Sequence, residues 1–126
     1  MTPTPRKPRP PRRGKPRPDL PRRVAFDLLR AVEEREAYAN LTLPPMLRER
    51  GLTGRDAAFA TELAYGTLRG QGSYDAILGA CVDRPLEQVD PPVRDVLRLG
   101  AHQLLAMRVP PHAAVGATVE LARAVV

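Results

Sequence analysis

The sequence predicts an all-α bundle. Apolar residues recur at i, i+3, i+4 and i+7 along most of the chain, and Asp, Ser, Thr and proline pairs punctuate it at helix-length intervals. Strand-type alternation of useful length is missing, which leaves helix packed on helix as the architecture. At 126 residues the chain fits one domain large enough to bury a core without staples.

The first segment does not fit such a bundle. From Thr2 to Pro21 it holds eight prolines and almost no side chain able to drive collapse. Residues 1–21 are therefore expected to form a disordered, partly polyproline II arm ahead of a helical domain spanning 22–126. Past the prolines, Ala25, Leu28, Leu29 and Val32 take up the helical period. A first helix is predicted over about Leu20 to Tyr38, capped by Asp19, with Pro21 in a first turn where a missing N–H costs nothing.

Pro44 and Pro45 are expected to open a short second helix with Leu43, Met46 and Leu47 as its apolar residues, stopped by Gly51 in a left-handed conformation. Thr53 before Gly54-Arg55-Asp56 is a variant of the capping box, with Asp in place of Glu or Gln. Phe59, Leu63 and Gly66 on one face carry a third helix to about Arg69. The Gly70-Gln71-Gly72-Ser73 segment interrupts the pattern, and two arrangements fit it. Either Ser73 caps a fourth helix that turns Ile77, Leu78 and Cys81 inward, or the two pieces form one kinked rod. Asp90 before Pro91-Pro92 opens a long amphipathic helix through Val93, Val96, Leu97, Gly100 and Leu104 to about Met107, the expected central helix. Pro110-Pro111 break the chain again. Val115, Val119 and Ala122 mark a last helix that reaches Val126 with no stop signal, so the chain is expected to end inside an element.

Charge divides the chain in two. Residues 1–23 carry nine Lys or Arg against Asp19 alone, a balance of +8, while residues 24–126 hold 11 bases and 13 acids, a balance of −2. Arg6, Lys7, Arg9, Arg12, Arg13, Lys15 and Arg17, continued by Arg22 and Arg23, form a dense set of phosphate-binding cations. A solubilising tail is the plainer reading, but nucleic acid accounts better for such density. A membrane surface would attract the same charges, yet no apolar anchor or lipidation signal accompanies them. Arg22 and Arg23 differ from the rest because a helix fixes their geometry, so they can set register while the arm adds affinity.

Other chemistries find little support. His102 and His112 are ten apart with no cysteine nearby, which is not a zinc spacing. Their expected roles are structural. Neither a Ser/His/Asp arrangement, a phosphate loop nor a Gly-x-Gly-x-x-Gly fingerprint is present, so no catalytic, cofactor-binding or metal residue is assigned. Glu33, Glu34 and Glu36 read as a solvated helix face, and Phe26, Phe59, Tyr65 and Tyr74 as core at helical spacing. The single cysteine, Cys81, sits among apolar neighbours without an adjacent base and is expected to be a packed thiol. One unpaired cysteine suits a reducing compartment, no apolar run approaches the roughly 18 residues of a membrane span, and no signal peptide begins the chain. The expected location is the cytoplasm.

Several stretches in order carry a resemblance. Arg108-Val109-Pro110-Pro111-His112-Ala113-Ala114-Val115, preceded by Leu99-Gly100-Ala101-His102-Gln103-Leu104-Leu105, resembles the NusB-like N-terminal domain of the RsmB (Sun/Fmu) 16S ribosomal RNA cytosine-5 methyltransferases. Ala39-Asn40-Leu41, Glu62-Leu63-Ala64-Tyr65-Gly66-Thr67-Leu68-Arg69 and Tyr74-Asp75-Ala76-Ile77-Leu78 are similar to the same family, and coverage runs from about Arg22 to Val126. Antitermination NusB proteins usually show Ile-Asn-Glu where this chain has Val115-Gly116-Ala117, which favours the methyltransferase branch. Arg22-Arg23-Val24-Ala25 is similar to the arginine-rich first helix through which NusB proteins contact RNA, a likeness that covers Arg22 and Arg23 only.

The resemblance implies a NusB-like helical bundle, truncated before its last helix. It also implies 16S ribosomal RNA as a partner, and a C-terminal catalytic domain that uses S-adenosylmethionine and two cysteines and is absent from this chain. The expected function is RNA binding, as the non-catalytic N-terminal domain of such an enzyme. The alternatives are a NusB-like antitermination factor and a helical protein-binding adaptor.

Overall fold

A computed structural model describes residues 19–126, and among them it contains five α-helices and no strand. They are α1 (Leu20–Arg35), α2 (Ala39–Glu49), α3 (Gly54–Cys81), α4 (Pro91–Leu105) and α5 (Pro111–Val125), with one 3-10 turn at Leu86–Gln88. The bundle therefore begins at Leu20, two residues inside the segment read as arm, and the expectation of disorder for residues 1–18 lies outside the described residues. Among the described residues no helix is long and apolar enough to cross a membrane.

Local chemistry explains most boundaries. The Asp19 carboxylate accepts from the Arg22 N–H at 3.0 Å and Pro21 fills the first turn, as the sequence predicts. The helix stops three residues earlier than expected, because Glu36 takes a left-handed conformation (φ 52°) and the Ala37 N–H turns back to the Ala31 carbonyl at 3.3 Å. A non-glycine stop of this kind leaves no mark in the sequence.

Helix α2 starts five residues before Pro44 and contains both prolines, contrary to the expected start. Its first turn is nucleated instead at Tyr38, whose carbonyl accepts from the Thr42 N–H (2.9 Å) and the Thr42 hydroxyl (2.8 Å). The carbonyls left without donors by Pro44 and Pro45 belong to Asn40 and Leu41, both exposed residues where water can substitute. Gly51 then supplies the expected left-handed turn (φ 68°).

The glycine-rich break does not exist as a break: α3 is one helix of 28 residues, so Ser73 caps nothing. Cys81, expected inside, is exposed at the end of this helix, and Ile77 is exposed with it. As a continuous rod, α3 turns Ala60, Leu63, Ala64 and Thr67 into the core, and its last turns run past the buried cluster.

The core joins Val24, Leu28 and Leu29 of α1, Leu43 of α2, Ala60, Leu63 and Ala64 of α3, Val96 and Leu99 of α4, and Leu121 of α5. Helix α4 packs on α1, α3 and α5, the central position expected for it. It buries an unexpected face, however. Asp95, Arg98, His102 and Gln103 lie inward beside Val96 and Leu99, whereas Leu104, on the face read as apolar, is 42% exposed.

His102 fixes the approach of α4 to α3. The Tyr74 hydroxyl, whose pKa burial and Glu62 push up, donates to His102 Nδ1 at 2.6 Å, and Nε2–H reaches Glu62 Oε1 at 3.3 Å. The ring lies against the backbone at Gly66, where an added Cβ would stand 2.1 Å from Nε2. Gly66→Ala is therefore expected to destabilise by about 1–3 kcal/mol through overpacking, although Ala gains about 1 kcal/mol over Gly in a helix. Gly72→Ala on the same helix meets no neighbour and should stabilise. Urea midpoints that rise for both variants would show that His102 is not held in place.

Candidate nucleic-acid interface

Consecutive cations on the first turn of α1 point in different directions about the helix axis, and their environments divide them. Arg22 is drawn against the bundle: its Nε donates to Gln103 Oε1 of α4 at 2.7 Å, and its Nη1 donates to Asp19 Oδ2 at 2.7 Å. The guanidinium also stands 4.8 Å from the centroid of the Phe59 ring of α3, and only 14% of the side chain is exposed. Arg22 thus ties three helices together. Arg23 lies outside this arrangement with 40% of its side chain exposed, and its Nε donates to the Asp27 carboxylate at 3.2 and 3.3 Å.

The structure adds a residue that sequence reasoning missed. Arg50, at the C-terminal end of α2, donates through Nη1 to Asp27 Oδ2 at 2.5 Å, an oxygen that Arg23 Nε also contacts. Two guanidiniums from different helices therefore share one carboxylate. The only signal available in the sequence was a cation next to the helix-stopping Gly51, a position that the helix dipole favours in any helix. The arm cations Arg6, Lys7, Arg9, Arg12, Arg13, Lys15 and Arg17 lie outside the described residues, upstream of this end of α1.

Farther along α1 the charges turn inward and hold the bundle. Asp95 of α4, 2% exposed, accepts from Arg30 Nη1 at 2.9 Å and from Arg98 Nη1 at 3.1 Å. Arg98 also holds Asp75 of α3 through a fork of 2.7 and 2.8 Å, and Arg30 holds Glu33 and Glu34. Arg94 closes the network on Glu33 at 2.8 Å. Burial pushes the Asp95 carboxyl up from its ordinary range while the two arginines pull it back. Desolvation works against Arg30 and Arg98 as well, but their hydrogen bonds to carboxylates outweigh it and raise both. Glu33 and Glu34, read as a solvated face, are exposed yet belong to this network. These charges are committed to one another, and His102 is committed to Tyr74 and Glu62.

A second surface is apolar. Ile77 of α3, Leu97, Leu104 and Leu105 of α4, and Val115 and Val119 of α5 line a groove with almost no polar lining. Val93, Val96, Ala122 and Val126 extend it along the α4–α5 seam, and several of its side chains are well exposed.

Comparison with known proteins places the chain. The sequence pattern described as the NusB family matches residues 19–126. A Mycobacterium tuberculosis protein named "Putative methyltransferase" is 58% identical over 104 residues, which are 82% of this chain and 23% of that protein. A Synechocystis protein named "Probable ribosomal RNA small subunit methyltransferase B" is 36% identical over 104 residues, again 82% of this chain and 23% of its own length. The ribosomal RNA small subunit methyltransferase B of Pseudomonas putida is 35% identical over 99 residues, 79% of this chain and 22% of that protein. The chain thus spans about a quarter of the length of the relatives it matches. No solved structure matches.

Proposed function

The chain belongs to the NusB family, and on that premise we propose that it is the RNA-binding domain of a longer ribosomal RNA methyltransferase, without methyl-transfer chemistry of its own. The observation that carries the reading is the first turn of α1: it presents Arg23 outward at the point where a run of seven further cations joins the bundle. Phosphate contacts from such a set supply affinity, and a cation fixed on a helix supplies register. The relatives are methyltransferases by name and about four times as long, which supports a separate catalytic part that binds S-adenosylmethionine. The described residues form helices joined by loops, with no strand, and hold no glycine-rich strand-to-helix turn that could cradle such a donor. The apolar groove on α4 and α5 is the face suited to receive that further polypeptide, because exposed apolar surface of this kind favours a protein contact over RNA.

Titration with a 16S ribosomal RNA fragment and with S-adenosylmethionine tests the reading. Saturable RNA binding that weakens with salt, and no uptake of the methyl donor, are expected. Micromolar donor binding, or methyl transfer abolished by Cys81→Ala, would overturn it. Arg22 and Arg23 should separate in the same assay. Arg22→Gln breaks the contacts to Gln103 and Phe59 and should cost about 1 kcal/mol of stability, whereas Arg23→Gln should leave stability nearly intact and weaken RNA binding. Losses of RNA affinity that are equal for Arg23→Gln and for Arg6→Gln would remove any special role for the helix.

A further inference from the structure

We propose that Arg23 and Arg50, both held by the Asp27 carboxylate, form a clamp for one phosphate of single-stranded RNA at the junction of α1 and α2. The proposal rests on the RNA-binding reading and adds to it a residue from a second helix.

Each guanidinium has five N–H donors in a fixed fork, and each spends only part of it on Asp27: Arg23 uses Nε, and Arg50 uses Nη1. Arg23 Nη1 and Nη2, and Arg50 Nε and Nη2, have no acceptor among the described residues, and both side chains are partly exposed. Ion pairs so exposed add little to stability, so their fixed geometry matters more for a ligand than for the fold. The geometry is fixed from both sides. Arg23 stands on a helix capped by Asp19, and Arg50 ends α2 just before the left-handed Gly51 and the buried Leu52. Asp27 removes the rotamer freedom of two long side chains in advance, a freedom that a phosphate would otherwise have to quench on binding. The triad keeps a net charge of +1, which matches a single phosphodiester with oxygens free for two forks.

An RNA strand fits better than an acidic peptide because the cations do not stop at the triad. Arg48 and Arg55, exposed on the adjoining ends of α2 and α3, make no ion pair among the described residues, and the arm adds seven cations upstream. A repeating polyanion meets such a series, whereas a peptide carboxylate satisfies one station.

The test uses the full chain and a short single-stranded RNA of mixed sequence. Arg50→Gln should weaken binding about tenfold and lower the log–log salt slope by about 0.7. Arg84→Gln, which removes the same charge from the loop after α3, should do much less. Arg50→Lys should keep the slope yet lose affinity, because a point charge cannot replace the fork. Asp27→Asn gives the sharpest sign: it makes the chain more positive, so bulk attraction predicts tighter binding, whereas loss of the clamp predicts weaker binding. Thermal melting of each variant separates these effects from unfolding.

Equal effects of Arg50→Gln and Arg84→Gln, tighter binding by Asp27→Asn, or competition by polyglutamate as effective as by RNA would each overturn the clamp. In those cases binding by the arm and Arg23 can persist, so the RNA reading is judged separately by deletion of the arm. A wild-type chain that binds no RNA overturns both.

Discussion

Deletion of residues 1–18 should flatten the salt dependence of RNA binding more than any substitution in the bundle. If the seven arm cations engage phosphates together with Arg23 and Arg50, the log–log slope for single-stranded RNA is about −6; with only Arg23 and Arg50 left it is about −1.4. A fourfold rise in salt would then weaken the full chain by roughly 4,000-fold and the shortened chain by roughly sevenfold. Removal at residue 18 keeps Asp19, the cap that starts α1, so helix content should not change. This can be checked by circular dichroism on the same sample. An unchanged slope would move the binding surface from the arm onto the helices.

Asp95→Ala should produce the largest loss of stability among charge substitutions, about 3 kcal/mol. The cost comes from what remains: Arg30 and Arg98 are both well buried, and each loses one of its acceptors. The low end of the range for broken buried pairs applies because Arg98 keeps its fork on Asp75, and Arg30 keeps Glu33 and Glu34. For a domain of this size the thermal midpoint should fall by more than about 10 °C. Asp95→Asn keeps the shape and one acceptor and should lose less. RNA affinity of the folded fraction should be unaffected, since Asp95 shares no hydrogen-bond partner with Arg23 or Arg50. A loss under about 1 kcal/mol for Asp95→Ala would class this network with ordinary surface ion pairs.

What the sequence determined by itself was whatever depends on near neighbours along the chain. Helical periodicity, the Asp19 and Pro21 start of α1, the stop at Gly51 and the proline-led starts of the last two helices are all properties of a few adjacent residues, and they gave the fold class and most of its elements. The +8 arm was legible for the same reason, because charge density is a local count.

What only the tertiary structure decided involves partners far apart in sequence. Asp95, Arg98, His102 and Gln103 share a helix face whose burial the sequence does not show, since local bonds such as Arg98 to Asp95 satisfy only part of it. Burial becomes favourable only when Arg30, Asp75, Tyr74 and Arg22 arrive from 23 to 81 positions away. The sequence also left open whether α3 runs on across Gly70 and Gly72; in the fold it does, and beyond them Tyr74 meets His102 of α4. The division of two adjacent arginines into a structural tie and an outward cation was likewise decided by the fold. A pattern along one chain shows which residues can share a face of a helix, but whether that face meets water or another helix depends on how the helices pack.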